Sequence, residues 1–223
     1  MKSVHFYDSD KQLRVGKILC LGRNYLDHAK EMNAEVPEQP VVFIKPSTAI
    51  IRDGESVVMP MISREMHHEV EMVVVIGKEG RNIPTGTGMD YVAGYAVGLD
   101  MTLRDIQSEA KKKGLPWSIA KGFDTSAPVS AIVEKEKIPD PHSLDISLKV
   151  NGKTRQQSNT RSMIFQVDYI VSFLSGIFTL EPGDLIFTGT PEGVGMVAPG
   201  DMLEAELESV GTLRVGVRKE FTD

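Results

Sequence analysis

The segment His67-His68-Glu69-Val70-Glu71-Met72-Val73-Val74-Val75-Ile76 gives the clearest strand signal in the sequence, an apolar run that begins with two glutamates. Successive side chains of a β-strand point to opposite faces, so Glu69 and Glu71 are predicted to share one face. Two ionised carboxylates this close repel each other, and a divalent cation between them would remove the conflict. Two unrelated glutamates at a solvated strand edge are the alternative for this segment taken alone.

Asp100 adds a third acidic side chain, directly after the apolar run of residues 91–99. An acid between a buried strand and a helix is well placed at a pocket floor, although helix N-capping by Asp100 itself or through Thr102 explains it equally well. We call Glu69, Glu71 and Asp100 the acidic triad. Three carboxylates completed by water and substrate suit Mg²⁺ or Mn²⁺, with Ca²⁺ as a substitute, and offer zinc none of its preferred ligands. Of the adjacent histidines, at least one is expected to lie outside the ligand set, because strand neighbours face opposite ways.

Length and composition are typical of one globular domain. The 223 residues fit one large β-rich domain, and 41% hydrophobic with 25% charged residues is ordinary. A net charge of −6 without a basic stripe argues against nucleic acid as a partner. No signal-peptide or membrane-spanning apolar run occurs, so we expect no membrane partner and a cytoplasmic protein. The single cysteine, Cys20, excludes an internal disulfide and is expected to be a small buried hydrophobe.

Short β-like runs recur along the chain, and they predict strands at residues 41–44, 70–76, 91–99, 144–150, 185–188, 203–207 and 213–217. Asn151-Gly152 predicts a type I′ hairpin, because both turn positions favour positive φ. Helices are predicted at residues 103–113, ending at Gly114, and at residues 162–178, with a broad apolar face. Helices and strands alternate too sparsely for a doubly wound sheet, so we predict an α+β, mostly β fold.

Further motifs extend the pattern over nearly the whole chain. They are Gly22-Arg23-Asn24-Tyr25 with His28 and Glu31, Phe43-Ile44-Lys45-Pro46, Asp100-Met101-Thr102-Leu103-Arg104-Asp105, residues 117–124, and Thr188-Gly189-Thr190-Pro191-Glu192-Gly193-Val194-Gly195. With these motifs the chain resembles the fumarylacetoacetate hydrolase superfamily, most closely its small acylpyruvase and oxaloacetate decarboxylase members. The resemblance implies a mixed β-sandwich roll of the C-terminal domain type and a homodimer. We expect a short N-terminal segment at residues 1–16 and a single catalytic domain at residues 17–219.

The resemblance also assigns roles to single residues. The acidic triad corresponds to the residues that bind Mg²⁺ or Mn²⁺ in the family. Lys121 corresponds to a lysine beside the metal, with proton transfer and enolate stabilisation as its plausible tasks. His28 and Glu31 are three residues apart, so on a short helix the carboxylate can orient the imidazole. They match a water-activating dyad in a segment that similar enzymes close as a lid over bound ligand.

Substrate contacts are expected from a second set of residues that matches the family: Arg23, Arg104, Gln107 and Thr190. These side chains are interpreted as ligands of substrate carboxylate and carbonyl oxygens, for which the arginine fork is suited. Residues that contact the distal part of the substrate are expected in variable loops such as residues 33–39.

The resemblance implies a small 2-oxo or 2,4-dioxo acid as the substrate, with its 1-carboxylate and 2-oxo group chelating the metal. The metal then stabilises the enolate that forms when a bond to C3 breaks. Hydrolysis of an acylpyruvate or fumarylpyruvate and decarboxylation of oxaloacetate are the leading predictions. Keto–enol tautomerisation of oxaloacetate is the alternative. A metal-binding module without catalysis is a more distant alternative, because a fold does not guarantee a function.

Overall fold

The computed structural model describes residues 2–31 and 35–220, and strands predominate in this part of the chain. The strands are β1 Ser3–His5, β2 Gln12–Arg14, β3 Ile18–Gly22, β4 Val41–Lys45, β5 Ile50–Ile51, β6 Ser56–Met59, β7 Met66–His68, β8 Val70–Ile76, β9 Val92–Leu99, β10 Thr102–Leu103, β11 Ala127–Pro128, β12 Val133–Glu134, β13 Asp145–Val150, β14 Lys153–Asn159, β15 Leu185–Phe187, β16 Gly195–Val197, β17 Met202–Leu207 and β18 Gly211–Lys219. The α-helices are α1 Leu26–Glu31, α2 Arg104–Lys113, α3 Ser118–Lys121 and α4 Val167–Ile177. Short 3₁₀ turns cover Ser47–Ala49, Gly88–Tyr91, Lys135–Lys137 and Thr160–Ser162.

Two larger sheets make up the body of the fold. The central sheet has the order β12-β9-β8-β15-β3-β4, in which only the β15–β3 pair is parallel. The second sheet has the order β14-β13-β17-β18-β6, with a parallel β18–β6 pair at one edge. Strands β13, β17 and β18 pack against β8 and β9. The expected mostly β, mixed sandwich architecture is therefore confirmed.

Strand β8 lies in the centre of this arrangement, with every one of its residues buried. Met72 and Val74 belong to the larger hydrophobic cluster, on the side of the second sheet. Val73 and Val75 belong to a smaller cluster on the opposite face. Burial on both faces explains why the strand is a continuous apolar run instead of an alternating one.

Three small sheets complete the fold, with the orders β10-β7-β16, β1-β2 and β11-β5. The sheet β10-β7-β16 lies next to the acidic triad in the sequence. Its strand β7 is followed directly by β8, which belongs to the central sheet. Glu69 is the single residue between them. The chain therefore changes sheets at the first glutamate of the opening segment.

The register of the central sheet brings several chain segments to one edge. Strand β3 runs parallel to β15, so Arg23 and Thr190 follow strands that end at the same side. Strand β8 runs antiparallel to β15, and Val70 at its start pairs with Leu99 at the end of β9. Consequently the start of β8 and the ends of β3, β9 and β15 meet at this edge.

Local predictions agree with most of these elements. All seven predicted strands are present, with bounds shifted by a few residues at most. Asn151 and Gly152 have φ of 51° and 75°, which confirms the I′ hairpin signal. The first predicted helix is α2, and Gly114 ends it in the left-handed conformation, with φ of 64°. Cys20 is fully buried, as expected of a small hydrophobe.

The second predicted helix was wrong at its start. Residues 163–166 precede α4 outside any helix, after a 3₁₀ turn, and Met163 and Gln166 have extended backbone. Their backbone is bound by Asn24, whose carbonyl oxygen accepts from Ile164 N–H at 2.8 Å and whose side-chain Oδ1 accepts from Phe165 N–H at 2.7 Å. A long-range polar contact thus overrides the local helical pattern.

Among the described residues, no helix combines the length and apolar character needed to cross a membrane.

Asp184 is expected to be a large single contributor to stability at the start of the parallel β3–β15 pair. Its fully buried carboxylate accepts from the backbone N–H groups of Lys17 and Glu181 at 2.9 and 2.7 Å and pairs with the Lys17 ammonium at 2.6 Å. Asp184→Ala leaves these donors without a partner, so we predict a loss of about 3 kcal/mol in the free energy of unfolding, measured by urea denaturation. Asp201→Ala is the matched control. It removes a more exposed carboxylate that accepts from Ala198 N–H and from the Asn151 side-chain amide, both at 2.7 Å, and it should cost about 1 kcal/mol or less because water can replace these contacts. Equal losses for the two variants would contradict this prediction.

Candidate metal centre and active site

The acidic triad comes together at the edge where the strands meet. Glu69 lies between β7 and β8, Glu71 is the second residue of β8, and Asp100 directly follows β9. One oxygen from each carboxylate lies within 4.8 Å of the others, and all three residues are buried. The backbone N–H of Asp100 also donates to the carbonyl oxygen of Glu69 at 2.8 Å, which fixes their spacing. This geometry could hold one metal ion.

Both alternatives that the sequence left open fail for these residues. Glu69 and Glu71 are 5% and 1% exposed, so they are not a solvated strand edge. Asp100 does not cap helix α2, because the short strand β10 separates them and Leu103 occupies the N-cap position without a side-chain cap. The three acids therefore cluster in a buried site and serve neither of these two local roles.

Three cationic side chains lie beside the triad, namely Lys121, Arg104 and Lys45. The Lys121 ammonium donates to Glu69 Oε2 at 2.8 Å, to Asp100 Oδ2 at 2.6 Å and to the hydroxyl of Thr102 at 2.6 Å. The Arg104 guanidinium binds Glu69 Oε1. Burial alone lowers the pKa of Lys121, but the charges of Asp100 and Glu69 outweigh it and raise that pKa above its ordinary value. Lys121 is therefore held as an ammonium ion.

Glu71 has no such partner. Within residues 2–31 and 35–220 no cationic group lies within salt-bridge distance of its carboxylate, which accepts instead from the backbone N–H of Gly189 at 2.7 Å. Burial raises the pKa of Glu71 well above its usual range, and the charges of Asp100 and Glu69 raise it further. For Glu69 burial also acts upward, but the charges of Lys121, Arg104 and His28 together outweigh it and lower the pKa. Glu71 is thus the triad member whose ionised form is least compensated by the protein, and a bound cation would stabilise that form.

The donor set fits a hard divalent cation. Asp100 Oδ1 lies 2.8 Å from the Lys45 ammonium without hydrogen-bond geometry, so this buried oxygen keeps a free lone pair. The two neighbouring histidines bond elsewhere, His67 Nε2 with Glu65 at 2.8 Å and His68 Nδ1 with Gln156 at 2.9 Å. The remaining ligands are carboxylate oxygens, which suit Mg²⁺ or Mn²⁺.

The His28–Glu31 pair forms on helix α1, as predicted. His28 is buried, and its Nδ1 lies 3.3 Å from Glu31 Oε2. Glu31 also accepts from the backbone N–H of Gly193 with both carboxylate oxygens, at 3.1 and 3.2 Å. The glycine-rich loop after β15 therefore holds the carboxylate that orients the imidazole.

One cavity connects the triad with the other candidate residues. It is lined by Leu21, Gly22, Arg23, His28, Phe43, Glu69, Glu71, Arg104, Gln107, Lys111, Trp117, Lys121 and Thr190. Arg104 and Gln107 are buried, and the guanidinium donates to the Gln107 carbonyl at 2.7 Å. Arg23 has φ of 61°, an uncommon value for a residue with a side chain that often marks functional sites. Of the loop at residues 33–39, residues 33 and 34 lie outside the described residues.

Lys45 belongs to this site, although sequence reasoning gave it no role. It is fully buried, and its ammonium lies beside Asp100. The same ammonium donates to the carbonyl oxygens of Lys121, of Met101 at 3.3 Å and of Ser126 at 3.1 Å. A lysine inside the otherwise apolar run of β4 is the signal that could have identified it.

Gln156 is a second such residue, on the polar strand β14. Its Oε1 accepts from Val70 N–H at 3.1 Å, and its Nε2 donates to the Thr190 hydroxyl at 2.8 Å and to the Pro191 carbonyl at 2.9 Å. It thus joins the start of β8 to the loop after β15. The sequence around it is polar and gives no sign of burial.

Comparisons with known proteins agree with this geometry. A family model described as fumarylacetoacetate hydrolase C-terminal matches residues 17–218. The mitochondrial oxaloacetate tautomerase FAHD1 of Mus musculus is 56% identical over 202 residues, which are 91% of each chain. A fumarylpyruvate hydrolase from Pseudomonas aeruginosa, solved in complex with Mn²⁺ and pyruvate, is 40% identical with a TM-score of 0.93, over 98% of this chain and 96% of that one. A 5-carboxymethyl-2-hydroxymuconate delta-isomerase from Mycobacterium smegmatis is 36% identical with a TM-score of 0.84, over 94% and 81%.

Replacing Glu71 tests the metal centre with little disturbance of the backbone. In Glu71→Gln the side-chain oxygen can still accept from Gly189 N–H, but the charge that lacks a cationic partner is lost. We predict that the affinity for Mn²⁺, measured by calorimetry on metal-free protein, falls about 100-fold or more. Glu206→Gln, an exposed site on β17, is the control and should bind Mn²⁺ like the wild type. Unchanged affinity in Glu71→Gln would rule out the triad as the metal site.

Proposed function

This chain belongs to the fumarylacetoacetate hydrolase family, and from that membership we propose that it is a divalent-metal-dependent enzyme that acts on small 2-oxo acids, with the keto–enol tautomerisation of oxaloacetate as its reaction. The observation that carries the proposal is the buried acidic triad, of which Glu69 and Glu71 line the same cavity as Lys121 and His28. Metal ligands and proton-carrying side chains in one cavity are what a reaction through an enolate requires.

The triad would hold the metal, which when bound supplies Lewis-acid stabilisation of the negative charge that an enolate carries. Arg104, beside Gln107 in the cavity wall, is suited to bind the substrate carboxylate through its planar fork. Thr190 and Arg23 are proposed to contact further substrate oxygens, as the family resemblance implies. These residues would fix the orientation of a 2-oxo acid with respect to the proton-carrying groups.

His28 is the better candidate for moving the C3 proton. Lys121 uses its three donors on Glu69, Asp100 and Thr102, so its ammonium is already engaged at the triad. We assign to Lys121 the stabilisation of developing negative charge on substrate oxygen. His28 is oriented through Nδ1 by Glu31, which leaves Nε2 for proton exchange with C3.

Carbon–carbon hydrolysis of an acylpyruvate or fumarylpyruvate is the second candidate. It is favoured by the structural likeness to a fumarylpyruvate hydrolase and by the His28–Glu31 pair, which could activate a water molecule. Decarboxylation of oxaloacetate gives a related pyruvate enolate and needs no base to break the C–C bond. Hydrolysis and decarboxylation are the leading predictions from the sequence. Tautomerisation is the proposed reaction, because the 56% identity to an oxaloacetate tautomerase exceeds the 40% identity to the hydrolase.

The homodimer and the location in the cell stay predictions. Strand β4 is the outermost strand of the central sheet, and Ile44 on it is 45% exposed near Leu115, which is 55% exposed. An apolar sheet edge of this kind supports pairing between copies of the chain, which light scattering on the purified protein would test. The cytoplasmic location predicted above contrasts with the mitochondrial location named for the mouse relative, and fractionation of source cells would decide it.

A substrate panel tests the proposed reaction. With Mg²⁺ or Mn²⁺ present, we expect the conversion of enol-oxaloacetate to keto-oxaloacetate, followed by ultraviolet absorbance, to be faster than turnover of acetylpyruvate or fumarylpyruvate. A chelator should abolish all of these activities, and added Mn²⁺ should restore them. Activity that survives complete metal removal would overturn the metal-dependent proposal. Tight Mn²⁺ binding with no turnover of any substrate would favour the non-catalytic module.

Replacing His28 separates the reactions. If His28 exchanges the C3 proton, His28→Ala should lower the tautomerisation rate constant about 10²- to 10⁴-fold, the usual contribution of a general base, and lower hydrolysis similarly. Decarboxylation of oxaloacetate should persist, because carbon dioxide leaves without a base. His5→Ala, on strand β1, is the control. Loss of hydrolysis with full tautomerisation would restrict His28 to water activation and contradict its role at C3.

A further inference from the structure

The cavity contains more positive charge than the metal centre accounts for. Four of its lining side chains are cationic: Arg23, Arg104, Lys111 and Lys121. Arg104 and Lys121 are buried, and each is paired with a carboxylate of the acidic triad. The other two lie nearer to solvent. This division separates an inner, neutralised pair from an outer pair.

The outer pair has no anionic partner in the described part of the protein. No carboxylate of residues 2–31 or 35–220 lies within 4.0 Å of the charged group of Arg23 or Lys111, and neither charged group donates a hydrogen bond there. By contrast, the next lysines on α2, Lys112 and Lys113, pair with Glu109 at 3.2 and 3.5 Å. Lys111 thus differs from its neighbours in facing the cavity with its charge uncompensated.

The backbone holds both residues of the outer pair in place. Gly114 reverses the chain after α2, and Leu115 N–H donates to Ala110 O at 2.9 Å, so that Trp117 returns beside the last helical turn. The Lys111 ammonium lies 5.1 Å from the Trp117 ring centroid, a cation–π contact. The same indole lies next to Gly22, which precedes Arg23. Trp117 therefore packs against both chain segments that carry the two cations.

The two cations also repel each other. Burial against the cavity wall lowers the pKa of Lys111, and the charges of Arg104 and Arg23 lower it further. Like charges at the mouth of a cavity are unfavourable unless an anion binds between them. A bound anion would relieve this repulsion, and Arg104 and Lys121 would stay paired with the carboxylates of the triad.

We propose that Arg23 and Lys111 form a subsite at the cavity mouth that binds a second carboxylate of the substrate, and so select dicarboxylic over monocarboxylic 2-oxo acids. This inference rests on the proposed function, because it assumes that the first carboxylate and the oxo group bind at the metal centre. Oxaloacetate carries its second carboxylate on C3, whereas acetylpyruvate carries an uncharged acyl group there. Lys111 has no role in the proposed reaction itself, and we assign to it the discrimination between dicarboxylic and monocarboxylic substrates.

Kinetics of Lys111→Met test the subsite. The KM for oxaloacetate should rise about tenfold, the effect of losing one charge-assisted contact, with kcat and the KM for acetylpyruvate changed less than about twofold. Lys111→Arg should restore most of the oxaloacetate KM, because the charge is retained. Lys112→Met, one residue along the helix and paired with Glu109, is the matched control and should behave like the wild type.

A binding measurement separates the failure of this inference from the failure of the proposed function. In the presence of Mn²⁺, calorimetry should show that the wild type binds 2-oxoglutarate more tightly than pyruvate, and that Lys111→Met loses this preference while its affinity for pyruvate stays the same. Equal weakening for both acids, or no change for either, would overturn the subsite. If the wild type with Mn²⁺ bound neither acid, the proposed function itself would fail, and the subsite with it.

Discussion

The burial of three carboxylates at one sheet edge is the constraint on which the active-site architecture depends. Removing an ionised carboxylate from water costs several kcal/mol, so the acidic triad is tolerable only where compensating charges are held rigidly beside it. Lys121 bridges Glu69 and Asp100, and Lys45 reaches Asp100 from the other side. These contacts join segments far apart in the sequence, so the site forms only when the complete fold has formed.

The sheet topology makes that meeting possible. Strands β9 and β4 are separated by β8, β15 and β3 in the central sheet, yet Lys45 on β4 lies 2.8 Å from Asp100 at the end of β9. The sheet must therefore curl until strands that are distant in its order approach each other. Gln156 then joins the second sheet to the start of β8 and to the loop that holds Thr190. Both sheets thus fix the position of the same small group of side chains.

Much of the fold and of the site could be predicted from local sequence patterns. The features that depend on contacts between distant segments could not, because no local pattern encodes such contacts. The apolar β8, the Asn151–Gly152 turn and the clustering of the triad follow from periodicity, turn preference and charge. The start of α4 could not be predicted, because Asn24 binds the backbone ahead of it across 141 residues of sequence. Gln156 was missed for the same reason, since it lies in a polar strand and only tertiary packing buries it.

The three carboxylates of the triad differ in their cationic partners, and this difference also explains which polar groups bind the metal and which move a proton. Glu69 and Asp100 have ammonium or guanidinium partners, whereas Glu71 has only a backbone N–H donor, so a divalent cation adds most where the compensation is weakest. The same pairing engages all three donors of the Lys121 ammonium beside the triad, where its positive charge suits it to stabilise an anion. His28 is held by Glu31 outside this ionic cluster, and that separation leaves it the side chain best able to exchange a proton. A site that must both bind a cation and move a proton benefits from keeping these two tasks on different groups, because a base paired with the triad would be held protonated by the same negative charges that hold the metal.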